Sequence, residues 1–310
     1  MEPHSDPSQK NSPLKLVKSG VASNVFSVNF FTSTGISFRV SSLESSFKDS
    51  YHLNLEEFNK RKTIILVNGL TRTKEHWIGF DEYLADDVNV VSFDPRGVGE
   101  SRKPANWSHS IDEITEDIMD ILSELRVSEV SMLGFSLGGM VSLKFALKHP
   151  SFVESLVIVN SSIGGGFQKL RLSPSSVFVL ATAGFKKNDA IHKKLSRYLL
   201  SHGVSKKVKD DAINAWVGLE EKYGRGFSIA FKQLFAAFKF RNPKSLSGVK
   251  AKSLVVCGEK DKFVPSSHSK RIHKYLPFST LLEIKKGGHE LHMDSREKLK
   301  SAVIGHIFGK

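Results

Sequence analysis

Residues 131–140 read SMLGFSLGGM and place one serine, Ser136, among three glycines. The run that leads into them, VSEVSMLGF, is apolar and β-rich, and LGGMVSLKFALKHP after them has a helical pattern that ends at His149-Pro150. Gly134–Gly138 fits the pattern G-x-S-x-G. Between a strand and a helix, this pattern holds a serine in a strained turn with its Oγ above the sheet, where glycines avoid a clash. We therefore predict that Ser136 is a nucleophile rather than a turn or capping residue.

Strand-like and helix-like segments alternate on both sides of this serine. Continuous apolar runs predict six buried strands: KTIILVNGL, VNVVSFD, VSEVSMLGF, VESLVIVNSS, KSLVVCGEKD and STLLEIKKGGH. IDEITEDIMDILSEL has apolar residues at three- and four-residue steps, which is typical of an amphipathic helix. The alternation predicts an α/β fold with a doubly wound, mostly parallel sheet. NVFSVNFF and ISFRVSS, separated by TSTG, predict an antiparallel hairpin at one edge.

A serine nucleophile requires a base, and the base requires a carboxylate that orients it. In a parallel sheet, functional groups gather where the strands end. The fifth buried strand is followed by GEKDKFVP, which contains Glu259 and Asp261, and the sixth by GGH, which ends at His289. His292 lies three residues further on. The chain order Ser136, Asp261, His289 is the order of an α/β-hydrolase triad.

Four motifs carry a family resemblance: NG after the first buried strand, DPRGVGES after the second, GFSLGG, and the pair GEKDKFVP and GGH. On these residues the chain resembles α/β hydrolases with a helical cap, a family that includes carboxylesterases, lactonases and C–C bond hydrolases. The resemblance extends over roughly residues 25–308. It is specific for the fold and for a serine triad, and it does not select a substrate.

The resemblance implies a role for each residue of the triad. The family pattern G-x-x-D-x-x-x-P favours Asp261 over Glu259, and a histidine directly after two glycines favours His289 over His292. In the implied mechanism His289 removes the proton of Ser136, which attacks an ester carbonyl, and water then hydrolyses the acyl-enzyme. No metal and no organic cofactor are implied. Epoxide and haloalkane hydrolases of this fold are disfavoured, because they use an aspartate at the position of Ser136.

The oxyanion hole of such an enzyme uses two backbone N–H groups. We assign them to Leu137, next to the nucleophile, and to Leu70, in the loop after the first buried strand. The family usually has His-Gly in this loop, whereas this chain has Asn68-Gly69. The loop DPRGVGES is interpreted as structural, with Asp94 and its neighbours forming a tight turn.

The alternation stops near residue 163 and resumes near residue 252, and the stretch between them has helical patterns. We predict a flexible tail at residues 1–20, a hydrolase core at 21–162 and 251–310, and a helical cap at 163–250. The cap is inserted after the sixth strand when the two hairpin strands are counted, which is the fourth buried strand. In FSIAFKQLFAAF, one helical stripe collects apolar side chains. These are Phe227, Phe231, Leu234, Phe235 and Phe238.

The cap carries almost all of the net charge of +13, since residues 161–250 contain 17 Lys and Arg but 5 Asp and Glu. One interpretation is a solvated, lysine-rich surface. The other is that the cap docks an acidic carrier protein or an anionic lipid, while its aromatic underside lines an apolar acyl pocket. Nucleic-acid binding is disfavoured, because the sequence contains no recognisable nucleic-acid-binding module.

Composition limits the remaining possibilities. The one cysteine, Cys257, excludes an intramolecular disulfide, and no Cys/His cluster has zinc spacing. Neither a signal peptide nor a membrane-spanning run is visible, so a cytoplasmic protein is expected. The sequence thus predicts a serine hydrolase of carboxylic esters. A C–C bond hydrolase or lactonase of the same fold, and a catalytically inactive protein that binds acidic partners, are the alternatives.

Overall fold

The computed structural model of the chain describes residues 24–49, 52–106, 110–164, 189–201, 203–224, 227–240 and 243–309. The predicted tail at residues 1–20 lies outside these ranges. The boundaries predicted for the core and for the cap remain predictions.

A mixed sheet forms the centre of the described part. Its strands are β1 (Val25–Phe31), β2 (Ser37–Leu43), β3 (Thr63–Val67), β4 (Asn89–Phe93), β5 (Val130–Phe135), β6 (Val153–Val159), β7 (Lys252–Gly258) and β8 (Ser279–Ile284). They lie in the order β1-β2-β4-β3-β5-β6-β7-β8, in which β1 and β2 are antiparallel and β3 to β8 are parallel. The predicted α/β fold and edge hairpin are confirmed.

Helices cover both faces of the sheet. The α-helices of the described residues are α1 (Leu55–Phe58), α2 (Phe80–Ala85), α3 (Ile111–Glu124), α4 (Leu137–Lys148), α5 (Asp189–Leu199), α6 (Lys206–Tyr223), α7 (Phe227–Lys239), α8 (Ser266–Tyr275), α9 (Leu291–Asp294) and α10 (Arg296–Phe308). On one face α3, α4 and α8 bury residues such as Ile118, Leu143 and Ile272. On the other face α2 and α10 contribute Phe80 and Val303. Each such side chain stabilises the fold by roughly 1.5–3 kcal/mol.

Buried charges hold the loop DPRGVGES after β4. The Asp94 carboxylate accepts hydrogen bonds from the backbone N–H of Lys74 (2.7 Å) and of Glu100 (2.9 Å), and the Lys74 ammonium lies 2.8 Å from it. Arg96 donates to the buried Asp117 carboxylate at 2.7 Å. Gly97 has φ +73°, in the left-handed region that favours glycine. The contacts agree with a structural role for this loop.

Among the described residues, three α-helices, α5, α6 and α7, lie in sequence between β6 and β7, and we call them the cap. Their inner side meets the core next to Asp261. One apolar cluster forms there. It joins Leu199 and Trp216 of the cap, and Leu200 directly after α5, to Phe263 and Val264 of the core. The cap is therefore joined to the sheet by an apolar contact at the end of β7.

The orientation of α7 differs from our expectation. Its buried side combines Ile229 with the small or polar residues Gln233, Ala236 and Ala237. Phe231, Phe235 and Phe238 are 76%, 55% and 55% exposed. The expectation that this aromatic stripe forms the underside of the cap and lines an acyl pocket is wrong. Small residues on the inner side let α7 approach the core closely, which turns the aromatic side outward.

Candidate active site

Ser136 lies in the turn between β5 and α4 with φ 55° and ψ −115°, a region that residues other than glycine rarely adopt. Two glycines make the turn possible. A Cβ on Gly134 would lie 2.5 Å from the carbonyl oxygen of Gly138, and a Cβ on Gly138 would overlap the carbonyl oxygen of Val67. The glycine pattern thus has the steric cause that the sequence predicted.

His289 and Asp261 meet although 28 residues separate them. His289 Nδ1 lies 2.7 Å from Asp261 Oδ2, and the ring nitrogen is the donor, because a carboxylate only accepts. The other carboxylate oxygen, Oδ1, accepts from the backbone N–H of Phe263 (2.8 Å) and of Val264 (2.9 Å). These bonds fix the direction of the carboxylate before any substrate binds.

Glu259 and His292, the alternatives to Asp261 and His289, make other contacts. Glu259 accepts a hydrogen bond at 3.0 Å from the backbone N–H of Lys286 in an exposed position. His292 is buried, and its Nε2 lies 3.1 Å from the carbonyl oxygen of His76. Neither of them contributes to the pair of Asp261 and His289.

The His289 ring is enclosed by aromatic side chains. Its centroid lies 4.9 Å from that of Phe135, the residue before the candidate nucleophile, and 5.0 Å from that of Phe263. Burial alone would lower the pKa of His289, but the charge and the hydrogen bond of Asp261 outweigh it and raise the pKa above its usual value. The site therefore favours a charged imidazolium more than water does.

Ser136 directly follows Phe135, whose ring contacts the His289 ring, and within the described residues no hydrogen bond joins the Ser136 hydroxyl to that histidine. Catalytic hydrogen bonds are often long in empty sites and shorten when substrate binds. The structure thus joins Asp261 and His289 directly. Ser136, the third member of the candidate triad, is the chain neighbour of Phe135, whose ring contacts the histidine.

The candidate oxyanion donors lie on the two segments that meet at Ser136. Leu137 is the first residue of α4, so its N–H has no partner within the helix. In the other segment, a Cβ on Gly69 would lie 3.4 Å from Ser136 Cβ. The backbone N–H of Leu70 makes no hydrogen bond to another main-chain group of the described residues.

Asn68, which departs from the family pattern, holds this loop through its side chain. Its Nδ2 donates to the carbonyl oxygen of Thr73 at 2.9 Å, and its Oδ1 accepts from the N–H of Gly69 at 3.0 Å. Asn68 therefore closes the loop locally and leaves the next N–H, that of Leu70, available.

Three further residues support the site, and the sequence analysis did not single them out. Asn160, after β6, donates to the carbonyl oxygen of His289 at 2.6 Å and accepts from the N–H of Gly258 at 2.9 Å. The carbonyl oxygen of Leu199 accepts from the N–H of His289 at 2.8 Å. Gln233 accepts from the N–H of Thr71 at 2.7 Å. A polar residue at a strand end was the available signal for Asn160, whereas the two cap contacts have no local signal.

The described residues contain no cluster of three or more His, Cys, Asp or Glu side chains arranged to bind a metal ion. In the same part of the chain, no helix has the length and apolar character required to span a membrane.

The comparisons with known proteins agree with the fold described above. The family model described as alpha/beta hydrolase fold matches residues 62–295. The uncharacterized hydrolase YugF of Bacillus subtilis is 26% identical over 80% of this chain and 90% of its own length. A candidate carbamate hydrolase, RutD of Agrobacterium fabrum, is 25% identical over 78% of this chain and 91% of its own.

Among solved structures, a 2-hydroxy-6-oxo-6-phenylhexa-2,4-dienoate hydrolase of Rhodococcus sp. strain RHA1 has a TM-score of 0.72 at 16% identity, over 92% of this chain and 99% of that one. That likeness concerns the fold. The chain belongs to the α/β hydrolase fold family, and it is a hydrolase of that fold.

Proposed function

We propose that this protein hydrolyses carboxylic esters through an acyl-enzyme on Ser136. The hydrogen bond between His289 and Asp261 carries the proposal, together with the strained turn that holds Ser136 directly after Phe135, whose ring contacts the His289 ring. Nucleophile, base and orienting carboxylate are the groups that acyl transfer needs, and their chain order is that of the fold family.

In this mechanism His289 Nε2 accepts the proton of the Ser136 hydroxyl as Oγ attacks the ester carbonyl. Asp261 holds the other ring nitrogen protonated and stabilises the imidazolium that forms. The N–H groups of Leu137 and Leu70 donate to the oxygen as it becomes negative, and the N-terminus of α4 adds a favourable dipole. The imidazolium then protonates the leaving alcohol, and water activated by His289 releases the acid.

We expect the enzyme to prefer esters with an apolar acyl group. The Phe263 ring, in the loop after β7, lies 5.0 Å from the His289 ring, and it belongs to the same apolar cluster as Trp216 of the cap. With p-nitrophenyl esters of increasing acyl length we expect kcat/KM to rise above the acetate value. Each buried methylene contributes about 0.8 kcal/mol, or roughly a fourfold gain. A steady fall from acetate onward would contradict an apolar acyl pocket.

The same assay compares substrate classes. A vinylogous diketone represents the C–C bond hydrolases, a lactone the lactonases, and a carbamate the reaction named for the RutD relative. We expect the esters to have the highest kcat/KM. A higher value for any of the other three substrates would replace the ester assignment while keeping the triad, and inactivity on all four would favour a binding protein.

The cap supports a second proposal, that it binds an anionic lipid surface. Phe231 is 76% exposed, and the Lys239 ammonium lies 4.3 Å from the centroid of the exposed Phe235 ring. Helices that lie in a membrane interface combine such aromatic side chains with nearby lysines. The cap region carries a large excess of cations. An outward aromatic face favours a lipid surface over an acidic carrier protein, because the rings can enter the lipid while the lysines contact the anionic headgroups.

Cosedimentation with vesicles tests lipid binding. We expect binding to vesicles that contain anionic lipid, weak binding to neutral vesicles, and a steep loss with added salt, because screening shortens the attraction to about 8 Å at physiological ionic strength. The double variant F231S/F235S is expected to abolish vesicle binding. The matched control is F278S, which removes a 61% exposed ring that lies outside the cap. Salt-independent binding, equal loss in the control, or binding to an acidic carrier protein alone would contradict the proposal.

A further inference from the structure

The cap contacts both loops that carry the candidate catalytic groups. Its helix α5 ends at Leu199, whose carbonyl oxygen accepts hydrogen bonds from the N–H groups of His289 (2.8 Å) and Glu290 (3.0 Å). The Asp294 carboxylate accepts from the N–H of Ser201, just beyond α5, at 3.1 Å, and from that of Gly288 at 2.8 Å. The histidine loop is therefore bonded to the cap through the main chain.

The second contact joins α7 to the loop after β3. Gln233 projects from the inner side of α7 and is 1% exposed. Its side-chain oxygen accepts from the N–H of Thr71 at 2.7 Å. Gln233 and Thr71 are 162 residues apart in the chain, so this bond forms only when the cap lies on the core.

Thr71 directly follows Leu70, the candidate oxyanion donor. Thr71 has φ 56°, and its hydroxyl donates to the carbonyl oxygen of Leu70 at 2.7 Å. The peptide group between these two residues is thus held at both ends, at its N–H by Gln233 and at its carbonyl oxygen by Thr71. With this peptide fixed, the direction of the neighbouring Leu70 N–H is also constrained.

We propose that Gln233 is a positioning residue that directs the Leu70 N–H toward the oxyanion, so that the site is complete only when the cap is docked. The proposal rests on the serine hydrolase function proposed above. Gln233 does not touch the reacting atoms, and it acts through Thr71. Since an oxyanion donor stabilises the transition state and not the bound ester, losing its alignment lowers kcat and leaves KM unchanged.

The test replaces Gln233 by leucine, which has a similar volume but no acceptor, and by asparagine, which is one methylene shorter. We expect Q233L and Q233N to lower kcat for a p-nitrophenyl ester by about ten- to a hundredfold, part of the loss caused by deleting a donor. KM should stay at the wild-type value. Inhibition by a trifluoromethyl ketone, whose adduct places an oxyanion in the same hole, should weaken by the same factor as kcat.

Y223F is the matched control. It removes another cap–core contact, the hydrogen bonds from the Tyr223 hydroxyl to Glu75 (2.9 Å) and Glu100 (3.1 Å), whose side chains lie outside residues 68–73 and outside the histidine loop. We expect kcat to stay near wild type. All variants are assayed at a temperature at which circular dichroism shows them folded, and the milder Q233N serves if Q233L does not fold.

The outcomes separate the two proposals. A wild-type protein without esterase activity would end the function and the positioning role together. An active wild type with wild-type kcat in Q233L and Q233N would end the positioning role alone. A fall in kcat that Y223F reproduces, or a rise in KM with kcat unchanged, would assign Gln233 to general cap docking.

Discussion

Replacing Ser136 with alanine is expected to lower kcat for the best p-nitrophenyl ester by about 10⁴- to 10⁶-fold, because the covalent step loses its nucleophile. The fold should be unaffected. The Ser136 hydroxyl makes no hydrogen bond within the described residues, and alanine tolerates the turn at φ 55° no worse than serine does. The measurements are steady-state turnover and the thermal unfolding midpoint.

S142A is the matched control for this variant. Ser142 is buried in α4, six residues beyond the candidate nucleophile, and its hydroxyl lacks a partner among the described residues. We expect S142A to retain wild-type turnover. Retained esterase activity in S136A would show that another group performs the attack, and a lost unfolding transition would make the loss of activity a folding effect.

The second large effect is expected for D261N, which should lower kcat by about 10⁴-fold. An amide at this position can keep the hydrogen bonds from the N–H groups of Phe263 and Val264. It cannot balance the charge of the His289 imidazolium, and it can present an N–H to the ring in place of an acceptor, which would stabilise the wrong tautomer. Turnover against pH measures both effects.

The expected direction of the change in kcat/KM with pH follows from the pKa of His289. His289 acts as a base only when it is neutral, and Asp261 raises its pKa above the usual value of about 6.5. In the wild type, kcat/KM should therefore fall as the pH drops through a value above that figure. Without the carboxylate, burial is the dominant influence and lowers the pKa, so the residual activity of D261N should persist to lower pH.

E259Q is the control, because it neutralises the exposed carboxylate two residues earlier in the chain. It should leave both turnover and the acidic limb of the profile unchanged. If E259Q shifted the limb and D261N did not, the assignment of the orienting carboxylate would be wrong.

The sequence predicted those features whose cause is local. Continuous apolar runs specify strands buried on both faces, so β3 to β8 could be located from their composition alone. The glycines around Ser136 could be interpreted because a Cβ at either flanking position has no space. The rule that strand ends of a parallel sheet share one edge pointed to the loops after β7 and β8. The family pattern then selected Asp261 and His289 within those loops.

The remaining features depend on how separate segments pack. Periodicity identified an aromatic stripe on α7, but it did not specify which side of the helix faces the core. The structure buries Gln233 and the small residues instead and leaves Phe231 exposed. The contacts of Gln233 with Thr71 and of Leu199 with His289 join residues that no local pattern connects, and one of them uses a backbone carbonyl that any residue could supply.

Labelling with a fluorophosphonate, followed by mass spectrometry, tests the central claim most directly. The claim is that the pair His289 and Asp261 activates Ser136. We expect the wild-type chain to gain one phosphonyl group on the peptide that contains Ser136, D261N to react far more slowly, and S136A to gain none. An unlabelled wild type, or a label on S136A at the wild-type rate, would contradict it.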